Sequence, residues 1–285
     1  MTPLILQLSD YAKSRILSAI YGQVHSVYRK TINLSTPDGL LALQAASSPL
    51  SPISLITNLN EDAMEQLAIS PEDPVVFTTD TVTITTAAKV ITFSFQNAVT
   101  HNLKPDTPLS ISALTELKEK IFQVLSASDS HGFDMIFNST PDKNLPLMFQ
   151  VSKNRTARCE ELFLQQKYEE SAEELSHLLG LGIGLTPSGD DFLCGMMASL
   201  HMAGQERSVF ALTLKTQIAD HLQDTIDISA AFLACALENQ YSLAVNSLYQ
   251  NPDCSSIEKS FSAIGHSSGI DTLCGIWFGL NLFVK

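Results

Sequence analysis

The sequence has few basic residues, since 17 lysines and arginines stand against 30 aspartates and glutamates, for a formal net charge of −13. Nucleic-acid binding depends on neutralising phosphates with lysine and arginine, so this balance argues against a nucleic-acid partner. The sequence also lacks any apolar run approaching the roughly 18 residues of a membrane span. Its first residues lack a basic region with a cleavage site. We therefore expect a cytoplasmic protein with no nucleic-acid or membrane partner.

Cysteine is scarce and irregularly placed. The five cysteines are odd in number and none has the CxxC spacing of a redox or zinc motif. This pattern is typical of buried thiols in a reducing compartment and excludes a disulfide framework. With 45% hydrophobic residues the chain can bury a substantial core, and 285 residues allow two domains.

The first hundred residues have the pattern of β-strands. Apolar and polar residues alternate over 24–34, a Pro-Asp-Gly turn follows at 37–39, and short β-branched segments continue to Phe95. From Ser110 the apolar residues follow helical spacing instead. We predict an α+β protein with a β-rich N-terminal domain over 1–126, shaped as a small barrel or sandwich, and a mainly helical C-terminal domain over 127–285. The predicted C-terminal helices cover 157–179, 190–203, 207–223, 227–238, 240–249 and 270–283.

One segment of the helical half, Gly180–Asp191, combines backbone freedom with charge. It holds four glycines, one proline and two adjacent acids in twelve residues, directly before an apolar helix. Part of it recurs: Ser188-Gly-Asp-Asp-Phe-Leu-Cys-Gly195 returns 80 residues later as Ser268-Gly-Ile-Asp-Thr-Leu-Cys-Gly275. We call Gly180–Asp191 the first loop and Gly265–Asp271 the second loop. The repeat predicts two matching loop-to-helix turns.

Helix capping is the simplest interpretation of the repeat. Ser188 with Asp191, and Ser268 with Asp271, have the spacing of a capping box, in which the hydroxyl and the acid satisfy backbone N–H groups reciprocally. Acids are also favoured at the positive end of the helix dipole. On this interpretation the four residues only start helices.

Capping leaves the other residues of the first loop unexplained. Closely spaced glycines let a ligand approach the backbone, and helix N-termini offer free N–H groups to an anion. Gly184 and Gly189 have the spacing of a Walker phosphate-binding loop, but Asp190 stands where its lysine belongs. Gly182 and Gly184 match the first two glycines of the dinucleotide-binding motif, but the third glycine is missing. We therefore hypothesise that Asp190, alone or with Asp191, binds Mg²⁺ or a substrate NH group while the loop amides hold an anionic part of the ligand.

In the second loop, His266 occupies the place of Thr186 in the first. A histidine beside hydroxyl groups can give or take a proton near neutral pH, although a structural hydrogen-bonding role is the alternative. His266 ranks first among the seven histidines, and with Asp190 and Asp191 it forms our set of catalytic candidates. The ligand-binding candidates in the loops are Gly182, Gly184, Thr186, Ser188, Gly189, Ser267, Ser268, Gly269 and Asp271.

Two further ligand-binding candidates lie in the β-rich half. Strand alternation places His25 and Arg29 on one face, where they could orient a carboxylate, and a solvated strand face is the alternative. Cys194 and Cys274 follow the repeated acids by three residues and are interpreted as small core residues, with a nucleophilic role as the lesser option.

The sequence resembles the AllH-type small subunit family of oxamate carbamoyltransferase, long catalogued as a domain of unknown function. Three motifs carry the resemblance: Val24-His-Ser-Val-Tyr-Arg29, Gly182-x-Gly-Leu-Thr-Pro-Ser-Gly-Asp-Asp-x-Leu-x-Gly195 and Gly265-His-Ser-Ser-Gly-x-Asp271. The central motif is long and specific, and together the three span most of the chain.

The resemblance implies a subunit that works with larger partner subunits in allantoin breakdown, in an enzyme that converts oxalurate and phosphate to oxamate and carbamoyl phosphate. It supplies no residue-level catalytic assignment. Our first hypothesis is therefore a carbamoyltransferase subunit that binds a small anion through both loops. The second is a non-catalytic scaffold or regulatory subunit whose glycines serve close helix packing. The positions of the glycines discriminate between the two hypotheses. Glycines that line an open cleft favour a binding site, whereas glycines packed under helices favour a scaffold.

Overall fold

The computed structural model describes residues 3–105, 107–129, 132–137, 145–182 and 184–284. The chain forms two compact units, one built from 1–104 with 240–243 and the other from 105–239 with 244–285. The predicted boundary at residue 126 keeps the helix Ile111–Ala127 with the β-rich half, whereas contacts place that helix in the second unit.

The described part of the first unit is built on a nine-stranded sheet, as expected for a β-rich N-terminal half. The strands follow the order β8-β7-β6-β2-β3-β4-β5-β1-β9, and an isolated bridge from Leu4 to Ser94 of the edge strand β8 curls the sheet. The strands are β1 (Ile5–Ser9), β2 (Tyr21–Val27), β3 (Thr31–Thr36), β4 (Gly39–Gln44), β5 (Ser54–Thr57), β6 (Pro74–Phe77), β7 (Thr81–Thr85), β8 (Val90–Ser94) and β9 (Val99–His101).

The sheet follows from the alternation seen in the sequence. In β6 and β7 every second residue is buried, which places Val75, Phe77, Val82 and Ile84 in the core. The single strand predicted over 24–34 is wrong, since the chain turns after Val27 and β2 pairs antiparallel with β3. Two short helices, α1 (Asp10–Ser18) and α2 (Glu61–Glu65), follow β1 and β5 in the chain.

The second unit is helical. Its helices are α3 (Ile111–Ala127), α4 (Asp134–Phe137), α5 (Leu147–Leu164), α6 (Tyr168–Ser176), α7 (Ser188–Met202), α8 (Val209–Asp220), α9 (Asp227–Leu237), α10 (Leu243–Ser247), α11 (Cys254–Ser262) and α12 (Ser268–Phe283). The predicted helix over 157–179 is two helices, α5 and α6, and α11 is absent from the prediction. Across the described residues, no helix has the length and apolar character needed to cross a membrane.

Helices α7 and α12 pack against each other along the repeated sequence. A Cβ at Gly195 would overlap the carbonyl oxygen of Thr272, and a Cβ at Gly275 would overlap that of Phe192. Each pair is the other shifted by 80 residues, so the contact is reciprocal, as across an approximate twofold axis. The repeat therefore encodes a symmetric helix pair whose glycines allow the two backbones to touch.

Candidate functional site

The starts of α7 and α12 meet, and their capping differs from the prediction. The N-caps are Pro187 and Ser267, and neither makes a side-chain capping hydrogen bond, so the capping-box prediction is wrong. The serines face the opposite helix instead: the Ser188 hydroxyl lowers the pKa of Asp271, and the Ser268 hydroxyl lowers the pKa of Asp191. This crossed arrangement repeats the twofold relation of the two helices.

A further hydrogen bond joins the two loops. The hydroxyls of Thr186 and Ser268 lie 2.7 Å apart, and the Thr186 hydroxyl also lowers the pKa of Asp191. The repeated residues thus form one junction from both loops, which we call the loop junction and define by Thr186, Ser188, Asp191, Ser268 and Asp271.

The two acids of the loop junction are almost completely buried. Asp191 is 9% exposed and Asp271 0%, and the Oδ2 atom of each has no hydrogen-bond partner. Burial, followed by the charge of Asp271, raises the pKa of Asp191 well above its ordinary value. Burial also raises the pKa of Asp271 to about 6, against the lowering effect of the Phe133 backbone and the Ser188 and Ser267 hydroxyls. The pair is therefore placed to hold a proton near neutral pH.

A segment that the sequence did not single out completes the surroundings of Asp271. The Phe133 backbone N–H donates to Asp271 Oδ1 at 2.6 Å, and a Cβ at Gly132 would overlap the same oxygen. Both residues lie in the turn-rich stretch before α5, where Gly132 is the only sequence signal of a close approach. The neighbouring Phe133 ring packs against Phe192 of α7, with centroids 5.4 Å apart.

Asp190 makes its hydrogen bonds to groups of the second unit that lie outside the loop junction. Its Oδ1 accepts from the Gly180 N–H at 2.7 Å, and its Oδ2 accepts from the Thr225 and Ser229 hydroxyls at 2.5 and 2.6 Å. Asp190 is 1% exposed. The carboxylate thus connects the first loop to the chain before α9 and to α9 itself, and no sequence motif indicates these partners. Binding of Mg²⁺ or a substrate NH group by Asp190 stays a prediction.

The glycines of the loops divide into packed and open positions. A Cβ at Gly189 would overlap the Leu178 carbonyl oxygen, a Cβ at Gly269 would overlap that of Phe261, and Gly182 lies against Pro187 and Ser188. Gly184 and Gly265, both at positive φ, have open space where a Cβ would be. The packed glycines serve the helix starts, whereas the open ones lie at the rim of the two loops.

His266 lies at the same rim. It is exposed and has a φ of 30°, a left-handed backbone conformation that a residue with a Cβ adopts at a cost. Ser267, the next residue, is half-buried, and its hydroxyl lowers the pKa of Asp271. The strained backbone makes the histidine position a feature to test, and its catalytic role stays a prediction.

His25 and Arg29 belong to the first unit. The alternation that predicted a common face fails, because β2 ends at Val27 and has a bulge between Val24 and Ser26. His25 Nδ1 lies 3.0 Å from the Ser26 hydroxyl. Arg29 Nε lies 3.3 Å from a Glu61 carboxylate oxygen of α2, and binding of a ligand carboxylate by this arginine stays a prediction.

The cysteines fit a core role. All five are free thiols, and burial raises the pKa of Cys194 and Cys274 well above the ordinary value, which keeps these thiols protonated. Among the described residues, no group of three or more His, Cys, Asp or Glu side chains is placed to hold a metal ion.

The comparisons with known proteins agree on one family. Residues 178–280 match the family model described as oxamate carbamoyltransferase subunit AllH, and residues 6–101 match the model described as AllH family N-terminal domain. The chain belongs to the AllH family. Its two matched regions correspond to the helical part that carries both loops and to the nine-stranded sheet. No solved structure gives a significant match to this AllH-family chain.

The description of the first model indicates a subunit of oxamate carbamoyltransferase, and hence a multi-subunit enzyme. The match begins just before the first loop and ends within α12, so all five residues of the loop junction lie inside it. The AllH family is thereby identified by the part of the chain that holds the candidate site.

Proposed function

We propose that this AllH-family chain is a subunit of a carbamoyltransferase that acts with larger partner subunits on oxamate or oxalurate and carbamoyl phosphate. Its loop junction, with the open rim around Gly184 and His266, binds a small anionic ligand of that reaction. The observation that carries the proposal is the crossed pairing of two helix starts that have no side-chain caps, within the region matched by the family model.

The chemistry of carbamoyl transfer suits such a site. Transfer passes through a tetrahedral oxyanion, which is stabilised by fixed N–H donors and dipoles more than by a strong nucleophile. Two helix N-termini supply the dipoles, which favour negative charge. The Gly189, Asp190 and Ser268 N–H groups themselves donate to the carbonyl oxygens of Leu181, Pro187 and Gly265. The Ser188 and Ser268 hydroxyls lie at the same place, and His266 at the rim is our candidate for proton transfer.

Isolation of the complex from its native cell tests this proposal. A tagged chain is expected to co-purify with larger subunits, and the complex to transfer a carbamoyl group between carbamoyl phosphate and oxamate. Thr186→Val removes the hydroxyl shared with Ser268 at nearly constant volume and is expected to lower this activity without dissociating the complex. Thr115→Val, on the exposed face of α3, is the matched control. A complex without carbamoyl transfer would overturn the proposal.

A scaffold role is the second candidate, and the packing of α7 on α12 favours it. Gly195, Gly275 and Gly279 all lie where a side chain would collide with the facing helix, so much of the repeat serves packing. On this alternative Thr186→Val leaves the activity of the complex unchanged, whereas substitutions that separate α7 from α12 prevent its assembly.

A further inference from the structure

We infer that Asp191 and Asp271 together form an acceptor site for the N–H groups of a primary amide, such as the carbamoyl or oxamate amide group of the ligand. The inference rests on the proposed function for the identity of that ligand. It assigns the paired acids, and not Asp190, to the recognition of nitrogen.

The two unpartnered oxygens carry the argument. Asp191 Oδ2 and Asp271 Oδ2 are buried and make no hydrogen bond. Buried side-chain oxygens almost always have a hydrogen-bond partner. A serine hydroxyl at the start of the opposite helix also lowers the pKa of each acid, which places both acids in the loop junction. When both acids are ionised they are two acceptors without donors at one place, and they are then complementary to a ligand that brings N–H groups.

The neighbours of the acids narrow the ligand class. The groups that shift the pKa values of the two acids are hydroxyls, the Phe133 N–H and other acids. Among the described residues, no lysine or arginine is one of these groups. An ion composed of acceptors alone, such as oxalate, would face two acids without a compensating base. A metal ion alone would face the positive ends of two helix dipoles.

A primary amide meets both sets of groups. Its NH₂ donates to the carboxylate oxygens, and its carbonyl oxygen, on the same carbon, is attracted by the positive ends of the two helix dipoles. The pair of acids thus selects nitrogen, while the helix N-termini bind the adjacent oxygen or carboxylate. Thr186 and Ser268 are half-buried, and Gly184 and His266 next to them in the loops are exposed, so the amide would approach from this side.

Calorimetric titration with two isosteric probes tests the inference. Oxalate has a second carboxylate where oxamate has its amide, so it also carries one more negative charge. The ratio of the two dissociation constants therefore reports recognition of the NH₂ group together with repulsion of the second carboxylate. We expect the wild-type chain to bind oxamate about 10- to 100-fold more tightly than oxalate, because hydrogen bonds to a charged group are lost and a repulsion is gained. Asp191→Asn and Asp271→Asn each bring a donor in place of an acceptor and are expected to reduce this preference at least about tenfold.

Glu258→Gln removes an exposed acid of α11 and is the matched control for net charge. Equal affinity of the wild-type chain for both probes, no binding of oxamate, or an unchanged ratio in both Asn variants would overturn the inference. So would binding that requires Mg²⁺, since the acids would then hold a cation. None of these results affects carbamoyl transfer by the purified complex, so failure of the inference is distinguishable from failure of the proposed function.

Discussion

The buried acid at the start of α12 makes the stability of the second unit depend on pH, and Asp271→Asn should remove that dependence. The substitution keeps an oxygen that can accept from the Phe133 N–H and places an amide where the unpartnered Oδ2 lies. It removes the only part of Asp271 that burial opposes, which is its negative charge.

The magnitude follows from the pKa of Asp271, which is about 6 against an ordinary value of 3.8. Each pH unit of difference corresponds to about 1.4 kcal/mol, so the ionised acid costs roughly 3 kcal/mol of folding free energy above pH 6. Because the folded pKa is the higher one, the folded state binds the proton more strongly, and stability falls as the pH rises from about 4 to about 6. The raised pKa of Asp191 has the same sign and extends the fall to higher pH.

Thermal unfolding between about pH 5 and about pH 8 measures this effect. At pH 5 about half of the cost is relieved, which predicts a Tm some 3–6 °C higher than at pH 8 for the wild-type chain. Asp271→Asn should have a higher Tm than the wild type at pH 8 and a flatter profile, whereas the exposed control Glu258→Gln should keep the wild-type profile. A wild-type Tm that is lower at pH 5 than at pH 8, or an Asn variant less stable at pH 8, would refute the reasoning.

Three other predictions follow from the same region. Gly195→Ala and Gly275→Ala should each destabilise the chain by about 1–3 kcal/mol in chemical denaturation, because the new methyl meets a carbonyl oxygen of the facing helix; in an exposed helix the same change would stabilise by about 1 kcal/mol. Asp190→Ala should cost about 3 kcal/mol or more, since three donors lose their acceptor, and Asp190→Asn should cost less; equal unfolding midpoints for all three proteins would contradict this. His266→Gly should raise the Tm by releasing the positive φ, and lower carbamoyl transfer if the ring acts in it, so unchanged activity would remove His266 from the catalytic candidates.

Local pattern was enough to predict most of the elements and insufficient to predict their partners. Short β-branched and aromatic segments identified β6, β7 and β8, and helical spacing identified α3 and α9 because one face of each helix is buried. The strand predicted over 24–34 failed because its turn has no proline or glycine signal, which leaves alternation uninterrupted through Tyr28–Lys30.

The site shows the same limit at the level of single residues. Ser188 and Asp191 have capping-box spacing, and from sequence alone the nearest partner is the obvious one. The structure pairs each with a residue of the opposite helix, which no local spacing encodes. The partners of Asp190, Thr225 and Ser229, lie 35 and 39 residues away and belong to no motif. The repeated sequence predicted where the candidate site lies, but which residues contact each other there depends on the packing of α7 on α12.

The exchange of serines between the two helix starts also has a consequence for how the chain folds. Nearly every residue of α7 is buried, and its first turn is completed by groups that lie 80 residues further along the chain. While it is being synthesised, a chain that has not yet reached Ser268 must keep an apolar helix and an unsatisfied acid without their partner. Closing a loop over that distance costs conformational entropy before the contact forms, so we expect α7 to acquire its native environment only when α12 docks. A fragment ending before Ser268 would then expose α7 to chaperones and to aggregation, whereas the complete pair closes in one cooperative step.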